Sequence, residues 1–259
     1  MKTGFIGTGA ITEAFITGMI NVGSHNEAVL VSSRSTERSK RLAEKFPNVK
    51  VIEDNQAIVD QCDWVFVAVL PEQSRELIKS LSFGSDQKII SMVAGLELEE
   101  LTKICQPAES VFRIIPLPPV ELGLGPMPLC PPDAEVESFL EKISTPIPVE
   151  SENQFSTFSA ASAIMATHYE TMATVARWIN SKDVPPAAAA GYTTAIFGGL
   201  SELASKCDWS SLQALPGHSQ TPGGLNEQVL HELQALKWFD QVSGRLDRIS
   251  DRLSGTDSK

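Results

Sequence analysis

Cysteine and histidine are both scarce in this 259-residue chain, which contains four of each. The cysteines lie far apart without a CxxC pair, which argues against a disulfide framework and favours isolated thiols in a reducing compartment. The histidines lack the spacing of a metal site. We therefore expect neither a bound metal nor disulfides among Cys62, Cys105, Cys130 and Cys207.

Positive charge and long apolar runs are also lacking. Lys and Arg number 21 against 32 Asp and Glu, which argues against a nucleic-acid partner because phosphate neutralisation needs clustered cations. The longest apolar candidate, Ala187 to Leu200, is interrupted by polar and glycine residues, whereas a membrane-spanning helix needs about 20 apolar residues. No signal peptide precedes the first strand-like run. These absences predict a cytoplasmic protein that binds neither membranes nor nucleic acid.

Short β-like runs alternate with amphipathic helical stretches over roughly the first 150 residues. The run Trp64–Leu70 is wholly apolar, as expected for a strand buried on both faces. Strand, helix and strand in steady alternation predict an α/β fold with a doubly wound parallel sheet of the Rossmann type. The other predicted strands are Lys2–Ile6, Ala28–Ser32, Lys50–Ile52, Lys88–Val93 and Val111–Ile115, and the predicted helices between them are Ile11–Val22, Thr36–Phe46, Glu72–Leu81 and Leu96–Cys105.

The composition changes in the second half of the chain. Nine prolines between Val111 and Pro148 exclude a long continuous helix there. After Glu150 the β-like runs cease and helical periodicity dominates. We therefore predict a dinucleotide-binding domain over residues 1–150 and an all-helical domain over residues 151–259, with helices at Phe155–Ser181, Ala187–Lys206 and Asn226–Leu253.

A glycine-containing turn joins the first predicted strand to the first predicted helix, where a dinucleotide-binding turn belongs. Gly7 permits the tight turn, Gly9 lets the backbone approach a pyrophosphate, and the helix N-terminus offers N–H groups with a positive dipole end. Thr12 occupies the position of the usual third glycine. The alternative is a turn that binds nothing, but the strand–helix alternation favours a site formed by Gly7, Thr8, Gly9, Ala10 and Ile11.

The end of the second predicted strand distinguishes between the two nicotinamide cofactors. An NAD-selective site usually has Asp or Glu there to bind the ribose 2′-hydroxyl. This chain has Ser32, Ser33 and Arg34 instead, two hydroxyls and a guanidinium that suit a 2′-phosphate. The sequence thus predicts NADP(H) rather than NAD(H), the alternative being that Arg34 is a solvated surface residue.

Further motifs are spread over nearly the whole chain. They are Gly4–Gly7, Ala68-Val69-Leu70-Pro71, Ser91-Met92-Val93-Ala94-Gly95, Arg113-Ile114-Ile115-Pro116 and, most specific of all, Thr221-Pro222-Gly223-Gly224. Together they resemble the motifs of the Δ1-pyrroline-5-carboxylate reductases, the enzymes of the last step in proline biosynthesis. Asn55 also stands where that family often has an Asn near the adenosine ribose of the cofactor.

The resemblance implies a fold, a reaction and an assembly. The fold is an N-terminal Rossmann domain followed by a helical domain, through which the protein forms a homodimer or a higher homo-oligomer. The reaction is hydride transfer from the nicotinamide to a cyclic C=N bond, in a small substrate that carries a carboxylate. A protonated imine is already electrophilic, so such an enzyme needs mainly to position the reactants and exclude water.

The resemblance also implies particular site residues. Residues expected along the cofactor are Asn55, Ala68, Val69, Leu70, Ala94 and Pro116. N–H groups around the Pro-Gly-Gly turn are expected to hold the substrate carboxylate, because two glycines before a helix form an anion-binding nest. The expected substrate-binding residues are Gly223, Gly224, Leu225 and Asn226, with Asn226 and Thr221 as the catalytic residues.

Departures from the family's motifs cluster around this chemistry. Leu70 replaces a Lys, Leu117-Pro118 replaces Asn-Thr, and Asn226 replaces a Thr. Other polar residues that could compensate are Glu227, Gln228, His168 and His218.

These departures leave two alternatives open. The first is a related dehydrogenase that acts on another imine, a ketone or a hydroxy acid. Such enzymes usually carry a Lys on a helix of the second domain as acid or base, whereas Lys182 and Lys206 both lie near predicted helix ends. The second is an NADP-binding protein without catalytic activity.

Overall fold

The chain divides into two compact units, Met1–Ser159 and Ala160–Lys259. The computed structural model describes residues 1–253. Residues 254–259, the end of the predicted helical domain, lie outside the described residues.

A single sheet forms the centre of the first unit. Its strands are β1 (Thr3–Ile6), β2 (Val29–Ser32), β3 (Val49–Ile52), β4 (Trp64–Val67), β5 (Lys88–Ser91), β6 (Ser110–Ile114), β7 (Pro126–Cys130) and β8 (Thr145–Pro148). They lie in the order β3-β2-β1-β4-β5-β6-β7-β8. The strands from β3 to β6 are parallel, β7 is antiparallel to β6, and β8 is parallel to β7. The predicted doubly wound sheet is confirmed, except that it is not parallel throughout.

Two apolar cores lie against the two faces of this sheet. Successive residues of a strand point to opposite faces, so Phe5 belongs to one core and Ile6 to the other. Phe66 packs with Phe5 in the first core, their ring centroids 4.6 Å apart. The helices that follow the strands are α1 (Ala10–Asn21), α2 (Thr36–Lys45), α3 (Asn55–Val59), α4 (Pro71–Lys79), α5 (Leu98–Ile104) and α6 (Ala134–Leu140).

The proline-rich segment holds two strands that the sequence does not predict. In β8, the N–H groups of Thr145 and of Val149, just beyond the strand, donate to carbonyls on the β7 side. Because the N–H direction alternates along a strand, positions 146 and 148 would point their N–H groups to the outer edge of the sheet, and there Pro146 and Pro148 have no N–H to offer. Proline is tolerated in β8 because its missing donors fall where no neighbouring strand needs them.

The boundary between the units lies later than the predicted division at Glu150. Helix α7 (Glu152–Ala161) begins just after that residue. Its Phe155 is buried with Cys130 and Val149 of the first unit, so most of this helix belongs there. Composition marks where the strands stop, whereas packing sets where the first unit stops.

The second unit is helical. Its helices are α8 (Ile164–Asn180), α9 (Pro186–Ala204), α10 (Trp209–His218), α11 (Leu225–Ala235) and α12 (Trp238–Leu253). The predicted helix Asn226–Leu253 is interrupted at Lys237, whose φ is +54°. Helix α8 packs on α9, and α11 packs on α12.

Few side chains of the second unit are buried. Ala189 and Thr193 are the buried residues of α9, while α8, α10, α11 and α12 have none. Large apolar residues such as Trp178 and Leu203, each 63% exposed, face outward. Among the described residues, no helix has the length and apolar character to cross a membrane.

Candidate active site

The glycine turn follows β1 and opens α1, at the carboxyl edge of the parallel strands. Gly7 has a φ of +98°, and a side chain there would collide with the carbonyl oxygen of Ala68. Gly9 caps α1 in an extended conformation without a capping side chain, and nothing lies within 4 Å of the place a Cβ would occupy. First-turn N–H groups of a helix lack intrahelical acceptors and carry the positive end of its dipole. The turn therefore offers open backbone donors to an anion.

Three hydroxyl groups hold this turn in place. The Ser32 Oγ accepts the Gly7 N–H at 2.9 Å, and the Thr8 hydroxyl donates to the Ser32 carbonyl at 2.7 Å. The Thr12 hydroxyl donates to the Gly7 carbonyl at 2.8 Å. Thr12 thus secures the turn at the position of the usual third glycine. Ser32, predicted to contact the cofactor, is only 3% exposed and directs its hydroxyl into the turn.

A cavity of about 460 Å³ lies beside the turn. Arg34 lines it, and within residues 1–253 no carboxylate lies close enough to form an ion pair with this guanidinium. Arg38 and Arg41, on the helix that follows, both pair with Glu13 instead. The full lining is Gly7, Thr8, Gly9, Ala10, Ile11, Arg34, Ser35, Ala68, Val69, Leu70, Gln73 and Met92.

Nine of the fourteen predicted cofactor residues therefore line one cavity, whereas Ser32, Ser33, Asn55, Ala94 and Pro116 do not. Ser33 lies outside the lining, and its carbonyl accepts the Thr36 hydroxyl at 3.3 Å. Asn55 also lies outside, at the first position of α3 beyond the end of β3. The sequence reasoning missed Ser35, although it directly follows Arg34, and Gln73, which only the fold brings to this cavity.

A second, smaller cavity of about 130 Å³ shares Ile11 and Met92 with the first. The predicted cofactor residues Ala94 and Pro116 line it. Leu117 and Pro118 line neither cavity, because the chain turns there into a short 3₁₀ helix, Pro118–Leu122. The other lining residues are Val93, Arg113, Ile114, Ile115, Phe155 and Ser159.

The Pro-Gly-Gly turn of the second unit precedes α11. Gly223 has a φ of +72°, and the Gly224 N–H donates to the Thr221 carbonyl at 2.8 Å. The Gly223 N–H donates to the Glu227 carboxylate at 2.6 Å. The Asn226 side-chain amide donates to the Ser219 carbonyl at 2.9 Å. Both groups predicted to meet a substrate therefore have partners within the turn. Leu225, 83% exposed, does not contribute to this packing.

The remaining candidates in the second unit lie in ordinary helical surroundings. His168 on α8 makes an edge contact with Phe197, and His218 ends α10. Lys206 pairs with Glu202 one helical turn away, and Gln228 donates to Glu232.

No metal-binding group of three or more His, Cys, Asp or Glu residues occurs within residues 1–253. Burial raises the pKa of Cys62 to about 11 and that of Cys105 to about 12, so both thiols are protonated and poorly nucleophilic at neutral pH.

Comparison with known proteins finds pyrroline-5-carboxylate reductases, the family that the sequence motifs resemble. The family model described as NADP oxidoreductase, coenzyme F420-dependent, matches residues 2–95. The curated pyrroline-5-carboxylate reductase of Haemophilus influenzae is 27% identical over 177 residues, which cover 65% of each chain. That of Corynebacterium melassecola is 27% identical over 46% of each chain. The chain thus matches less than two thirds of the length of these curated relatives.

Solved structures of pyrroline-5-carboxylate reductases match nearly the whole chain. The 1-pyrroline-5-carboxylate reductase of Streptococcus pyogenes superposes with a TM-score of 0.84 at 25% identity, covering 98% of both chains. In sequence and in fold, the present chain is similar to the pyrroline-5-carboxylate reductases. The family fold persists at lower identity, since the Plasmodium falciparum pyrroline carboxylate reductase with NADP bound gives a TM-score of 0.85 at 17% identity, over 100% of this chain and 98% of that one.

Proposed function

We propose that this protein is an NADP(H)-dependent reductase that adds hydride to the C=N bond of a cyclic imino acid of the Δ1-pyrroline-5-carboxylate type. The observation that carries the proposal is the open glycine turn beside a cavity that Arg34 lines, in a chain of this family. The residues present fit a dinucleotide, because the turn provides both backbone donors and room for a pyrophosphate.

The cofactor, when bound, supplies the hydride. Apart from the Gly7 N–H, which the Ser32 hydroxyl accepts, the N–H groups of the Gly7–Ile11 turn would hold its pyrophosphate. Arg34 and Ser35 bind the 2′-phosphate, since a guanidinium makes strong charge-assisted hydrogen bonds to phosphate. The residues Ala68–Leu70 line the dinucleotide, with Ala94 and Pro116 at its nicotinamide end. We keep Asn55 as a candidate for the adenosine ribose, because it follows β3 at the same edge of the sheet.

For the substrate, we assign the carboxylate to the N–H groups of Gly223 and Gly224, with Leu225, Asn226 and Thr221 around it. Binding there requires Glu227 to release the Gly223 N–H and the Thr221 carbonyl to release the Gly224 N–H. Hydrogen bonding by Asn226 requires its amide to leave Ser219 or to use its oxygen. Asn226 and Thr221 orient the imine, which protonation already makes electrophilic. The two residues thus act mainly by positioning the substrate.

The cofactor assignment is tested by comparing substitutions of Arg34 and of Ser32. Arg34→Ala should weaken NADPH binding about tenfold or more, because it removes a hydrogen bond between charged groups. NADH binding should be unchanged. Ser32→Ala should weaken both cofactors by similar factors, because it removes the acceptor of the Gly7 N–H without touching the phosphate. Ser33→Ala is the matched control. Fluorescence titration gives the dissociation constants, and equal losses of NADPH and NADH in Arg34→Ala contradict the assignment.

The substrate assignment is tested by NADPH oxidation with Δ1-pyrroline-5-carboxylate and related cyclic imino acids, with NADH alongside. We expect turnover with NADPH, and a much slower Asn226→Ala variant of unchanged melting temperature. Gln228→Ala is a control on the same helix. Normal turnover in Asn226→Ala removes that residue from the mechanism.

A second candidate is an NADP-binding protein without catalytic activity. It is favoured by the partners that Gly223 and Asn226 already have within the turn. Tight NADPH binding without turnover over a panel of cyclic imines and ketones would support this candidate.

We also propose a cytoplasmic homodimer joined through the helical unit. The exposed apolar side chains of α8 and α9 support the dimer, because a monomer would leave them in water. The free thiols of all four cysteines fit a reducing compartment. Sedimentation velocity distinguishes a dimer from a monomer.

A further inference from the structure

We propose that Arg113 is a positioning residue for the nicotinamide end of the cofactor site, an inference that rests on the function proposed above. It fixes the Met92–Gly95 turn, which directly follows β5. Met92 lines both cavities, and Val93 and Ala94 line the smaller one. The path of this turn therefore decides the shape of the wall against which the nicotinamide would lie.

Arg113 holds the turn through its backbone. The guanidinium Nη2 donates to the Val93 carbonyl at 3.3 Å, while the Val93 N–H donates to the Ser91 hydroxyl at 3.1 Å. The same guanidinium lies over the Phe155 ring, 4.4 Å from its centroid. Arg113 is only 5% exposed, so its side chain has little freedom to leave these contacts.

Glu152 compensates the buried charge. Its carboxylate pairs with the Arg113 Nη1 and also accepts the Leu98 N–H at 3.1 Å. The interaction thus links β6, the start of α5 and the start of α7. Buried ion pairs commonly cost as much in desolvation as they gain in attraction, so stability alone does not account for one here. A planar guanidinium can contact a carbonyl, a carboxylate and a ring at once, which Lys cannot do.

A second arginine approaches the other end of the same turn from the surface. Arg75 on α4 donates to the Gly95 carbonyl at 3.3 Å and forms a bidentate pair with Glu100, both distances being 2.8 Å. Its side chain is 44% exposed. Arg75 provides a matched control, because it holds the same turn by the same kind of contact without being buried.

The test compares Arg113→Met, Arg113→Lys and Arg75→Met for binding and for turnover. One ligand is NADPH and the other is 2′-phospho-ADP-ribose, which lacks the nicotinamide. In Arg113→Met we expect an unchanged dissociation constant for 2′-phospho-ADP-ribose and a kcat lowered about tenfold or more, because small displacements of reacting groups are costly. The primary isotope effect with 4-deuterated NADPH should rise as hydride transfer becomes slower. The kcat of Arg113→Lys should lie between those of the wild type and Arg113→Met. The kcat of Arg75→Met should lie within about threefold of wild type, because surface ion pairs contribute little.

The possible outcomes separate the inference from the function on which it rests. A wild-type protein that binds no NADPH contradicts both. Suppose that the wild type turns over, but Arg113→Met loses 2′-phospho-ADP-ribose binding and kcat by equal factors; this result contradicts the inference alone. A fall in kcat of the same size in Arg75→Met also contradicts the inference alone. Should Arg113→Met not fold, Glu152→Gln keeps the side-chain volume and should lower kcat in the same direction, and an unchanged kcat there overturns the inference.

Discussion

The two units of this protein bury their apolar side chains to very different degrees. The first unit has two cores, one on each face of its sheet, in which residues such as Phe5, Ile6 and Phe66 are fully buried. In the second unit, α8, α10, α11 and α12 have no buried residue. The first unit therefore has the apolar burial that a self-sufficient domain needs, whereas the helices of the second leave most of their apolar side chains exposed.

The largest expected effect tests this difference directly. Phe66→Ala should lower the free energy of unfolding by ~3–5 kcal/mol, because it opens a cavity in a closed core. Leu203→Ala in the second unit should change it by about 0.5 kcal/mol or less in the monomer, as for other surface substitutions. Leu203→Ala should instead weaken self-association. Urea unfolding and sedimentation measure the two effects, and a large loss of monomer stability in Leu203→Ala contradicts the comparison.

A smaller effect comes from two glycines with positive φ, one in each unit. Gly7→Ala combines a disfavoured conformation with a collision against the Ala68 backbone, so we expect a loss of at least ~1–3 kcal/mol and of NADPH binding. In Gly223→Ala the added Cβ has no neighbour within 4 Å. The loss of stability should therefore be only that of placing Ala in the left-handed conformation, roughly 1–2 kcal/mol. Differential scanning calorimetry with and without NADPH tests this pair. Equal losses in the two variants would mean that conformation, rather than packing, sets the cost at Gly7.

The smallest effect concerns two aspartates that cap helices. Asp133 accepts the N–H groups of Glu135 and Val136 at the start of α6 and pairs with Lys88 at 3.0 Å. Burial alone would raise the pKa of Asp133, but the Val136 N–H and the Lys88 ammonium lower it more, so the pKa lies below its ordinary value. Asp133→Ala should cost about 1 kcal/mol at neutral pH. Because the folded-state pKa is depressed, this contribution is present above the ordinary pKa of about 4 and is lost as the pH falls further.

Asp208 is the matched residue of the second unit. It caps α10 by accepting the Ser211 N–H, which lowers its pKa, but it has no lysine partner comparable to Lys88 among the described residues. Asp208→Ala should therefore destabilise the protein less than Asp133→Ala at neutral pH. Urea unfolding at pH 7 should show the larger loss of stability in Asp133→Ala, and urea unfolding at pH 3 should show that the difference between the two variants disappears in acid.

Local patterns were sufficient to predict the Rossmann half and many of the residues that line its two cavities. The glycine turn could be recognised because strand, turn and helix follow one another directly, so a short segment carries the information. The walls around Ala68, Ala94 and Pro116 could be placed through the family motifs, and all three line the two cavities.

Contacts between distant segments could not be predicted in this way. Strand periodicity does not show that Ser32 directs its hydroxyl to Gly7 rather than to a ligand, because that depends on how two strands meet. Arg113 and Glu152 carry opposite charges on different elements, and only the packed fold makes them partners. The prolines of β8 likewise indicate a break in the sequence pattern, because their tolerance depends on which side of the strand has a neighbour.

The prolines on the outer side of β8 have a consequence for the protein in concentrated solution. An exposed edge strand can recruit a strand from another molecule through its unpaired N–H and C=O groups, which begins aggregation. At Pro146 and Pro148 this edge cannot donate the hydrogen bonds that such recruitment requires. The sheet can therefore grow to its eighth strand during folding and stop there, without another element having to cover the edge.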